Sequence, residues 1–267
     1  MQRSHAIARG AEKALTATRA RREKPGARLF VEADLAPSQS LALGPEQAHY
    51  LKSVLRLKEG AIVALFNGRD GECFARIAGF SRNSCSLLIE EQSRAQGPEP
   101  DLWLVFAPIK RARIDFLVEK ATELGAAALF PVMTRHTAVE RVNLARLKAH
   151  AVEAAEQSER LSVPAIHPPQ PLERLIAGWD GRRRLLLCDE TGTSPPIAAA
   201  LKDAHSGPWA VLIGPEGGFA ETELDALKKL PFVCPVGLGP RVLRADTAAL
   251  AGLAVLQALL GDAPPRG

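Results

Sequence analysis

The chain has 267 residues, of which 46% are hydrophobic and 24% are charged. These proportions exclude a disordered or fibrous protein and are sufficient for two domains with a sizeable core. The longest apolar segment, 247–260, is shorter than the ~20 residues that a membrane-spanning helix needs. No signal-peptide pattern opens the chain. We therefore expect a cytoplasmic protein.

The basic excess of the chain lies at its N-terminus. The net charge is +4, and residues 1–27 alone carry seven Lys/Arg against two Asp/Glu. This extension has few large apolar side chains, so we expect it to be disordered. An RNA-contacting arm, a targeting segment and an extension translated from an upstream start codon all stay open as interpretations. Because the rest of the chain is nearly neutral, net charge does not by itself indicate an RNA-binding surface.

Four cysteines are scattered along the chain without a CxxC pair: Cys73, Cys85, Cys188 and Cys234. That spacing argues against a zinc site and against the disulfide framework of a secreted domain. The first two could face each other across a hairpin. Since three of the four lie in apolar, strand-like runs, we instead expect buried free thiols and no bound metal.

Residues 28–95 have the pattern of a compact β domain. Short apolar runs alternate with turn residues, and the pairs Asn67-Gly68 and Asp70-Gly71 are typical of tight turns between strands. One helix is predicted over 45–58, where four apolar residues recur at helical spacing: Ala48, Leu51, Val54 and Leu55.

Residues 96–101 have the composition of a linker, and after them the periodicity changes. Apolar, strand-like runs alternate with helical segments over 102–262, which predicts an α/β domain built on a largely parallel sheet. Within 113–125 an apolar stripe marks one helix, and Gly125 is predicted to end it.

Three loops rich in glycine or proline follow apolar strands near the C-terminus, at 189–192, 214–218 and 237–244. In a parallel sheet they emerge at the same edge, so we expect them to form one pocket. The GxxxxGK[ST], GxGxxG, GxSxG and HExxH motifs are all absent from the sequence. A pocket of main-chain groups, a few carboxylates and two arginines suits a ligand with an adenine edge and an amino-acid-like tail.

The same loops carry a family resemblance. The segments GPEGGF at 214–219 and LGPRVLRADTAAL at 238–250 resemble the GPEGG and LGxRILRxETA signatures of the RsmE family. Further similarities are RLFV at 28–31, HYLKSVLRLKEG at 49–60, KATELG at 120–125 and EQSERLSVPAI at 156–166. The chain departs from the pattern at Val242, at Asp246 and in its N-terminal extension.

The resemblance implies a fold and an activity. Proteins of this family are 16S ribosomal RNA uracil-N3-methyltransferases of the SPOUT superfamily. The fold implied is α/β: a PUA-like β-barrel domain for RNA at 28–95, then a SPOUT domain with a deep trefoil knot at 102–262. The partners implied are S-adenosylmethionine, 16S rRNA in the small ribosomal subunit and a second copy of the chain. A methyltransferase for another RNA target and a non-enzymatic RNA-binding adaptor stay open as alternatives.

Site residues are predicted from these motifs. The candidates for catalysis are Arg244, Arg241 and Glu216. The candidates for cofactor binding are Leu187, Glu190, Gly214, Glu216, Gly217, Gly218, Leu238, Gly239, Leu243 and Thr247. The candidates for RNA binding are Lys110, Arg113, Lys120, Arg135, Arg141 and Arg160. No histidine lies near the three loops in the sequence, so the acceptor of the uridine N3 proton is left open.

Overall fold

The computed structural model describes residues 24–139 and 141–262. The chain divides into two compact units, Met1–Gln96 and Gly97–Gly267, which we call the N-terminal and C-terminal units. The prediction of a disordered extension at 1–27 lies almost wholly outside the described residues. No helix among the described residues is long and apolar enough to span a membrane.

The N-terminal unit is built on a five-stranded sheet. Its strands are β1 (Arg28–Phe30), β2 (Ser40–Leu43), β3 (Ile62–Phe66), β4 (Glu72–Phe80) and β5 (Cys85–Arg94), in the spatial order β1-β3-β4-β5-β2. The β1–β3 pair is parallel and the other pairs are antiparallel. The turn between β3 and β4 requires Gly71, because a Cβ there would lie 2.2 Å from the Arg94 carbonyl oxygen. Cys73 and Cys85 are buried and free.

The predicted helix at 45–58 is shorter than expected. An α-helix, α1 (Pro45–His49), passes directly into a π-helical turn, Tyr50–Val54, and Arg56 then adopts a left-handed φ of 56°. The wider π-turn changes which side chains face the core. Leu51 is fully buried, but Val54 is 58% exposed, so the expectation that Val54 belongs to the apolar stripe was wrong.

A buried carboxylate joins the first strand of this unit to the last. Glu72 accepts hydrogen bonds from Arg28, Arg94 and Ser93, and its side chain is only 9% exposed. Burial alone would raise the pKa of Glu72, but the hydrogen bonds from Arg94, Arg28 and Ser93 outweigh it and lower the pKa. The arginines therefore keep this carboxylate ionised inside the unit.

The C-terminal unit is built on a seven-stranded sheet. Its strands are β6 (Leu102–Phe106), β7 (Ala128–Met133), β8 (Ala165–Ile166), β9 (Gln170–Pro171), β10 (Arg184–Cys188), β11 (Trp209–Ile213) and β12 (Val233–Val236). The order is β12-β10-β11-β6-β7-β8, with β9 also pairing with β7, and every pair is parallel. The prediction of an α/β domain with a parallel sheet is confirmed. The knot stays a prediction.

Six helices of the described chain accompany this sheet: α2 (Arg111–Glu123), α3 (Leu144–Gln157), α4 (Leu172–Ala177), α5 (Ile197–Ala200), α6 (Glu221–Lys228) and α7 (Ala245–Leu260). Gly125, with φ of 83°, follows the end of α2 as predicted. The last helix begins at Ala245, and its N-cap, Arg244, makes no side-chain hydrogen bond to the helix.

Helix α7 packs closely on the sheet through Gly252. A Cβ at this position would lie 3.0 Å from the Val211 side chain and 3.4 Å from the Cys188 sulfur. At the other end of the helix, Gln257 Nε2 donates to the Leu124 carbonyl (2.8 Å) and so ties α7 to the end of α2. These contacts fix α7 against the sheet, so its N-terminus lies beside the carboxyl ends of β10, β11 and β12.

Replacing Glu72 tests the buried network. In Glu72→Ala two arginines lose their buried partner, and removing one member of such a pair costs about 3–5 kcal/mol. We expect that loss in the urea unfolding of the N-terminal unit within the full chain. Because the Glu72 pKa is lowered by folding, its contribution is present at neutral pH and is lost as the pH falls below about 4.

The control for this experiment is Asp34→Ala, which removes the exposed pair of Arg69 and Asp34. Solvated pairs of this kind contribute little, so no measurable change is expected. Equal stability of the two variants at pH 7 would contradict the role assigned to Glu72.

Candidate active site

A cavity of about 490 Å³ opens at the carboxyl ends of β10, β11 and β12. Three loops line it: residues 189–194, the GPEGG loop at 214–218, and residues 237–244. Arg113 from the first turn of α2 and Ala248 from α7 also contribute. The volume is in the range of small-molecule sites, and the carboxyl edge of a parallel sheet is where such sites form.

Main-chain hydrogen bonds hold two of the loops together. Gly237 N donates to the Pro195 carbonyl (2.8 Å), and Ile197 N donates to the Gly237 carbonyl (3.1 Å). Asp189 N donates to the Val236 carbonyl (2.8 Å), which extends the β10–β12 pairing to the start of the cavity. The 189–194 and 237–244 loops thus leave the sheet as a joined pair.

Asp189 stabilises the first of these loops from inside. Its buried carboxylate accepts hydrogen bonds from Thr191 N (2.9 Å) and Ser194 Oγ (2.6 Å), and it pairs with Lys228 Nζ (2.7 Å) on α6. Burial alone would raise the pKa of Asp189, but the hydrogen bonds from Lys228, Ser194 and Thr191 hold it well below its ordinary value. We therefore interpret Asp189 as a permanently ionised group that positions the loop.

Two glycines of the GPEGG loop are required by sterics. Gly218 has φ of 71°, its N–H donates to the Pro215 carbonyl (2.9 Å), and a Cβ there would lie 2.0 Å from Glu190 Oε1. A Cβ on Gly214 would lie 2.8 Å from the Phe219 ring. Gly217 differs, since a Cβ there would be in ordinary contact, 3.6 Å from His136 Cβ.

The polar lining contains both signs of charge. Glu216 of the GPEGG loop accepts a hydrogen bond from Arg113 Nη1 (3.2 Å), and both side chains are partly exposed. Arg241 and Arg244 are exposed residues of the third loop, and Glu190 is an exposed residue of the first. Carboxylates in the cavity can accept from hydroxyl or amino groups, and the arginines can hold an anion.

The structure brings most of the predicted cofactor and catalytic residues together. Those that line the cavity are Glu190, Gly214, Glu216, Gly218, Leu238, Gly239, Arg241, Leu243 and Arg244. Three others do not line it. Leu187 is fully buried in the core beneath, Gly217 faces His136, and Thr247 is exposed on the first turn of α7.

The predicted RNA-binding residues are distributed differently. Lys110, Arg135 and Arg141 are exposed. Lys120 lies between Glu119 and Glu123, with its ammonium 2.7 Å from an oxygen of each. Arg113 belongs to the cavity.

Arg160 is not part of a surface. Its guanidinium is 8% exposed and donates to the carbonyls of Thr122 (2.8 Å) and Ala126 (2.9 Å), and it also pairs with Glu99. The guanidinium thus satisfies one carbonyl in the last turn of α2 and one just beyond it. The expectation of Arg160 as an RNA contact does not agree with this placement, because a buried, fully engaged guanidinium cannot reach a phosphate.

A histidine that none of the sequence motifs indicated lies beside the GPEGG loop. His136 follows β7, more than 75 residues from that loop in the chain, and its Nδ1 lies 3.1 Å from the Gly218 carbonyl oxygen. The available signal was its place just after an apolar strand, since such positions meet at one edge of a parallel sheet. No group of three or more His, Cys, Asp or Glu side chains in residues 24–139 and 141–262 is arranged to hold a metal ion.

Comparison with known families agrees with the two-unit architecture. Residues 97–257 match a family model described as an RNA methyltransferase domain, and residues 43–90 match one described as an RNA methyltransferase PUA domain. The chain is 31% identical over 236 residues to ribosomal RNA small subunit methyltransferase E of Rickettsia conorii, covering 88% of this chain and 96% of that protein. It is 33% identical over 237 residues to the Synechocystis protein of the same name, covering 87% and 78%.

Solved structures show the same relationship. Ribosomal RNA small subunit methyltransferase E of Neisseria gonorrhoeae, bound to S-adenosylmethionine, superposes with a TM-score of 0.80 at 27% identity, covering 88% of this chain and 98% of that one. A Legionella pneumophila methyltransferase in complex with the same cofactor gives 0.79 at 28% identity, covering 90% and 100%. The matches extend over both units, and the chain belongs to the family of ribosomal RNA small subunit methyltransferase E.

Proposed function

We propose that this chain transfers a methyl group from S-adenosylmethionine to N3 of a uridine in 16S rRNA of the small ribosomal subunit. The observation that carries the proposal is the cavity, in which the GPEGG loop and the 237–244 loop meet and place arginines beside a glycine-lined space. Family membership supports the same reaction class.

The residues of the cavity suit a nucleoside with an amino-acid tail. The cofactor supplies an electrophilic methyl carbon bound to a sulfonium. We assign its binding to main-chain groups of Gly214, Gly218, Leu238 and Gly239 and to Leu243 as an apolar contact. The Glu190 carboxylate is placed to accept hydrogen bonds from hydroxyl or amino groups.

The arginines of the third loop suit the other substrate. Methylation at N3 requires loss of the N3 proton, and the negative charge then spreads over O2 and O4 of the uracil. Arg241 and Arg244, on the cavity wall, are placed to stabilise that charge or to hold the nucleotide's phosphate. Glu216 is engaged by Arg113, so we assign it to support of the GPEGG loop.

We assign the wider RNA surface to three exposed cations, which lie in the loops that follow β6 and β7 and in the segment before α3. Lys110 precedes α2, Arg135 follows β7, and Arg141 precedes α3.

We further propose that residues 28–95 form an RNA-binding PUA-like domain and residues 102–262 the SPOUT catalytic domain. We also propose a cytoplasmic location, which the ribosomal substrate proposed above supports.

We also propose that the protein is a homodimer. The C-terminal helix α7 is almost wholly apolar, and one face of it remains uncovered in the described chain, including Ala254, Ala258 and the 48% exposed Leu259. A second copy of the chain would remove this face from water.

The glycine requirement predicts a difference between neighbouring positions. In Gly218→Ala the new Cβ is strained by its positive φ and displaces the Glu190 carboxylate, so we expect binding of S-adenosylhomocysteine to weaken at least tenfold. In Gly217→Ala the new Cβ makes only an ordinary contact, and a change below about twofold is expected. Titration calorimetry measures both, with circular dichroism to verify folding. Equal affinities would argue against the proposed cradle.

Replacing Arg244 tests the assignment to the reacting anion. Loss of one donor to a developing oxyanion costs about 10²–10³ in kcat, so Arg244→Ala should lose that much while its cofactor affinity is unchanged. The assay is 3-methyluridine formation in isolated small subunits, detected by mass spectrometry. Unchanged turnover together with unchanged subunit affinity would rule out the assignment.

The proposed RNA surface predicts a dependence on salt. Each cation that contacts a phosphate contributes about 0.7–0.9 to the slope of log K against log salt concentration. Replacing Lys110, Arg135 and Arg141 with alanine should therefore reduce the slope by about 2–3 in filter-binding titrations with small-subunit RNA.

Arg182→Ala is the matched control for the salt titrations. Arg182 is 87% exposed, pairs with Asp180 and precedes β10 at the opposite edge of the sheet. Its replacement should leave the slope unchanged. If the triple variant also keeps the wild-type slope, these three cations do not contact the RNA.

A further inference from the structure

The proposed reaction needs a group that accepts the uridine N3 proton. Among the carboxylates of the cavity, Asp189 is buried and receives three donors, so it holds its charge within the loop. Glu216 is paired with Arg113, and Glu190, the exposed carboxylate of the same cavity, is assigned above to the cofactor. General-base catalysis is most efficient when the pKa of the base lies near the working pH. A carboxylate, whose ordinary pKa lies far below neutral pH, is therefore a poor base for removing a proton from nitrogen. An imidazole meets that requirement better than a carboxylate does.

His136 is an imidazole held directly against the GPEGG loop. Its Nδ1 is 3.1 Å from the carbonyl oxygen of Gly218, a residue of the cavity wall. Its Cβ would be 3.6 Å from a Cβ on Gly217. The residue itself is exposed. The imidazole therefore lies against the GPEGG loop and contacts Gly218 of the cavity wall, but is itself outside that wall.

The loop that carries His136 is anchored on both sides. Thr134 N donates to Thr137 Oγ1 (2.9 Å), which closes a turn around the histidine. Arg135 N donates to Glu223 Oε1 (3.0 Å), and the second oxygen of the same carboxylate accepts from Ala220 N (3.0 Å). One carboxylate at the start of α6 thus joins the 134–139 loop to the segment that follows GPEGG. This anchoring holds the imidazole in place before any substrate is bound.

The hydrogen bond to Gly218 determines which ring nitrogen can accept a proton. A carbonyl oxygen only accepts, so Nδ1 must be the donor in this contact. In the neutral imidazole Nε2 then carries the free lone pair. The charged side chains on the adjoining elements are Arg135 on the same loop, Glu216 on the GPEGG loop with its partner Arg113, and Glu223 on α6.

We infer that His136 is the general base of the methyl transfer, an inference that rests on the proposed function. The N3–H bond of the uridine breaks and its proton moves to Nε2 of His136. The N3 electron pair forms the new bond to the methyl carbon, and the carbon–sulfur bond of the donor breaks with its electron pair remaining on sulfur, which leaves S-adenosylhomocysteine. His136 then releases the proton to water, and Arg241 and Arg244 stabilise the uracil anion while it exists.

The first experiment determines which ring nitrogen of His136 carries the proton, in the protein without RNA or cofactor. Nitrogen-15 NMR of histidine-labelled protein, at a pH where the imidazole is neutral, should show His136 protonated on Nδ1. Assignment follows from loss of its signals in His136→Asn. Protonation on Nε2 would overturn the inference, because the atom facing the substrate would then have no lone pair to offer.

The activity of His136 variants is tested next. Asparagine keeps a donor near the position of Nδ1 but has no basic nitrogen, so His136→Asn should lower kcat about 100-fold or more while KM for the small subunit and the affinity for S-adenosylhomocysteine change less than about twofold. In His136→Ala, added imidazole should restore part of the lost rate. A merely structural role would give no such rescue.

The matched control is His205→Asn, since His205 is exposed and precedes β11 at the opposite edge of the sheet. It should keep wild-type turnover. If the wild type is active and His136→Asn is equally active, the assignment of His136 as the base is overturned, and the proposed function is retained. A wild-type protein that forms no 3-methyluridine in small subunits would contradict the proposed function as well.

Discussion

The geometry of the site depends on one buried ion pair, between Asp189 and Lys228. It joins the 189–194 loop to α6, and the first turn of α6 carries Glu223, which accepts hydrogen bonds from Ala220 N after the GPEGG loop and from Arg135 N of the neighbouring loop. Because the 189–194 and 237–244 loops share main-chain hydrogen bonds, the same pair constrains all three walls of the cavity. A carboxylate without solvent exposure can hold its charge only while Lys228 and the loop donors surround it, so the loop conformation and the ion pair require each other.

Glycines stand where neighbouring side chains approach the GPEGG loop most closely. At Gly218 the Glu190 carboxylate occupies the space of a missing side chain, and at Gly214 the Phe219 ring does. Charge is placed at a few defined points of the cavity, by Glu190 on one loop and by Arg241 and Arg244 on another. In the function proposed above, the glycine-rich loop binds the methyl donor and the arginines act on the reacting base.

The N-terminal unit is also held together by a buried carboxylate that is paired with basic side chains. Glu72, at the start of β4, accepts hydrogen bonds from Arg28 on β1 and Arg94 on β5, so one buried charge ties together the first and last strands in chain order. Arg28 also lies 3.9 Å over the Phe66 ring, where the cation gains from the face of the aromatic system. The π-turn at Tyr50–Val54 and the left-handed Arg56 are strained local features of this unit. Neither follows from helical periodicity, which assumes 3.6 residues per turn.

The sequence by itself determined the two-part division, the parallel sheet and the family, because hydrophobic periodicity and turn residues are local properties and the glycine-rich signatures are contiguous. It also placed nine candidate residues on one cavity, since parallel strands present their carboxyl ends together. Only the tertiary structure decided the roles that depend on distant partners. It brought His136 to Gly218, paired Arg113 with Glu216, buried the Arg160 guanidinium against carbonyls at the end of α2, and left Leu187 beneath the site. The hydrogen bonds among these residues join positions 34 to 103 apart in the chain. No local pattern records which loop ends the folded sheet brings within hydrogen-bonding distance.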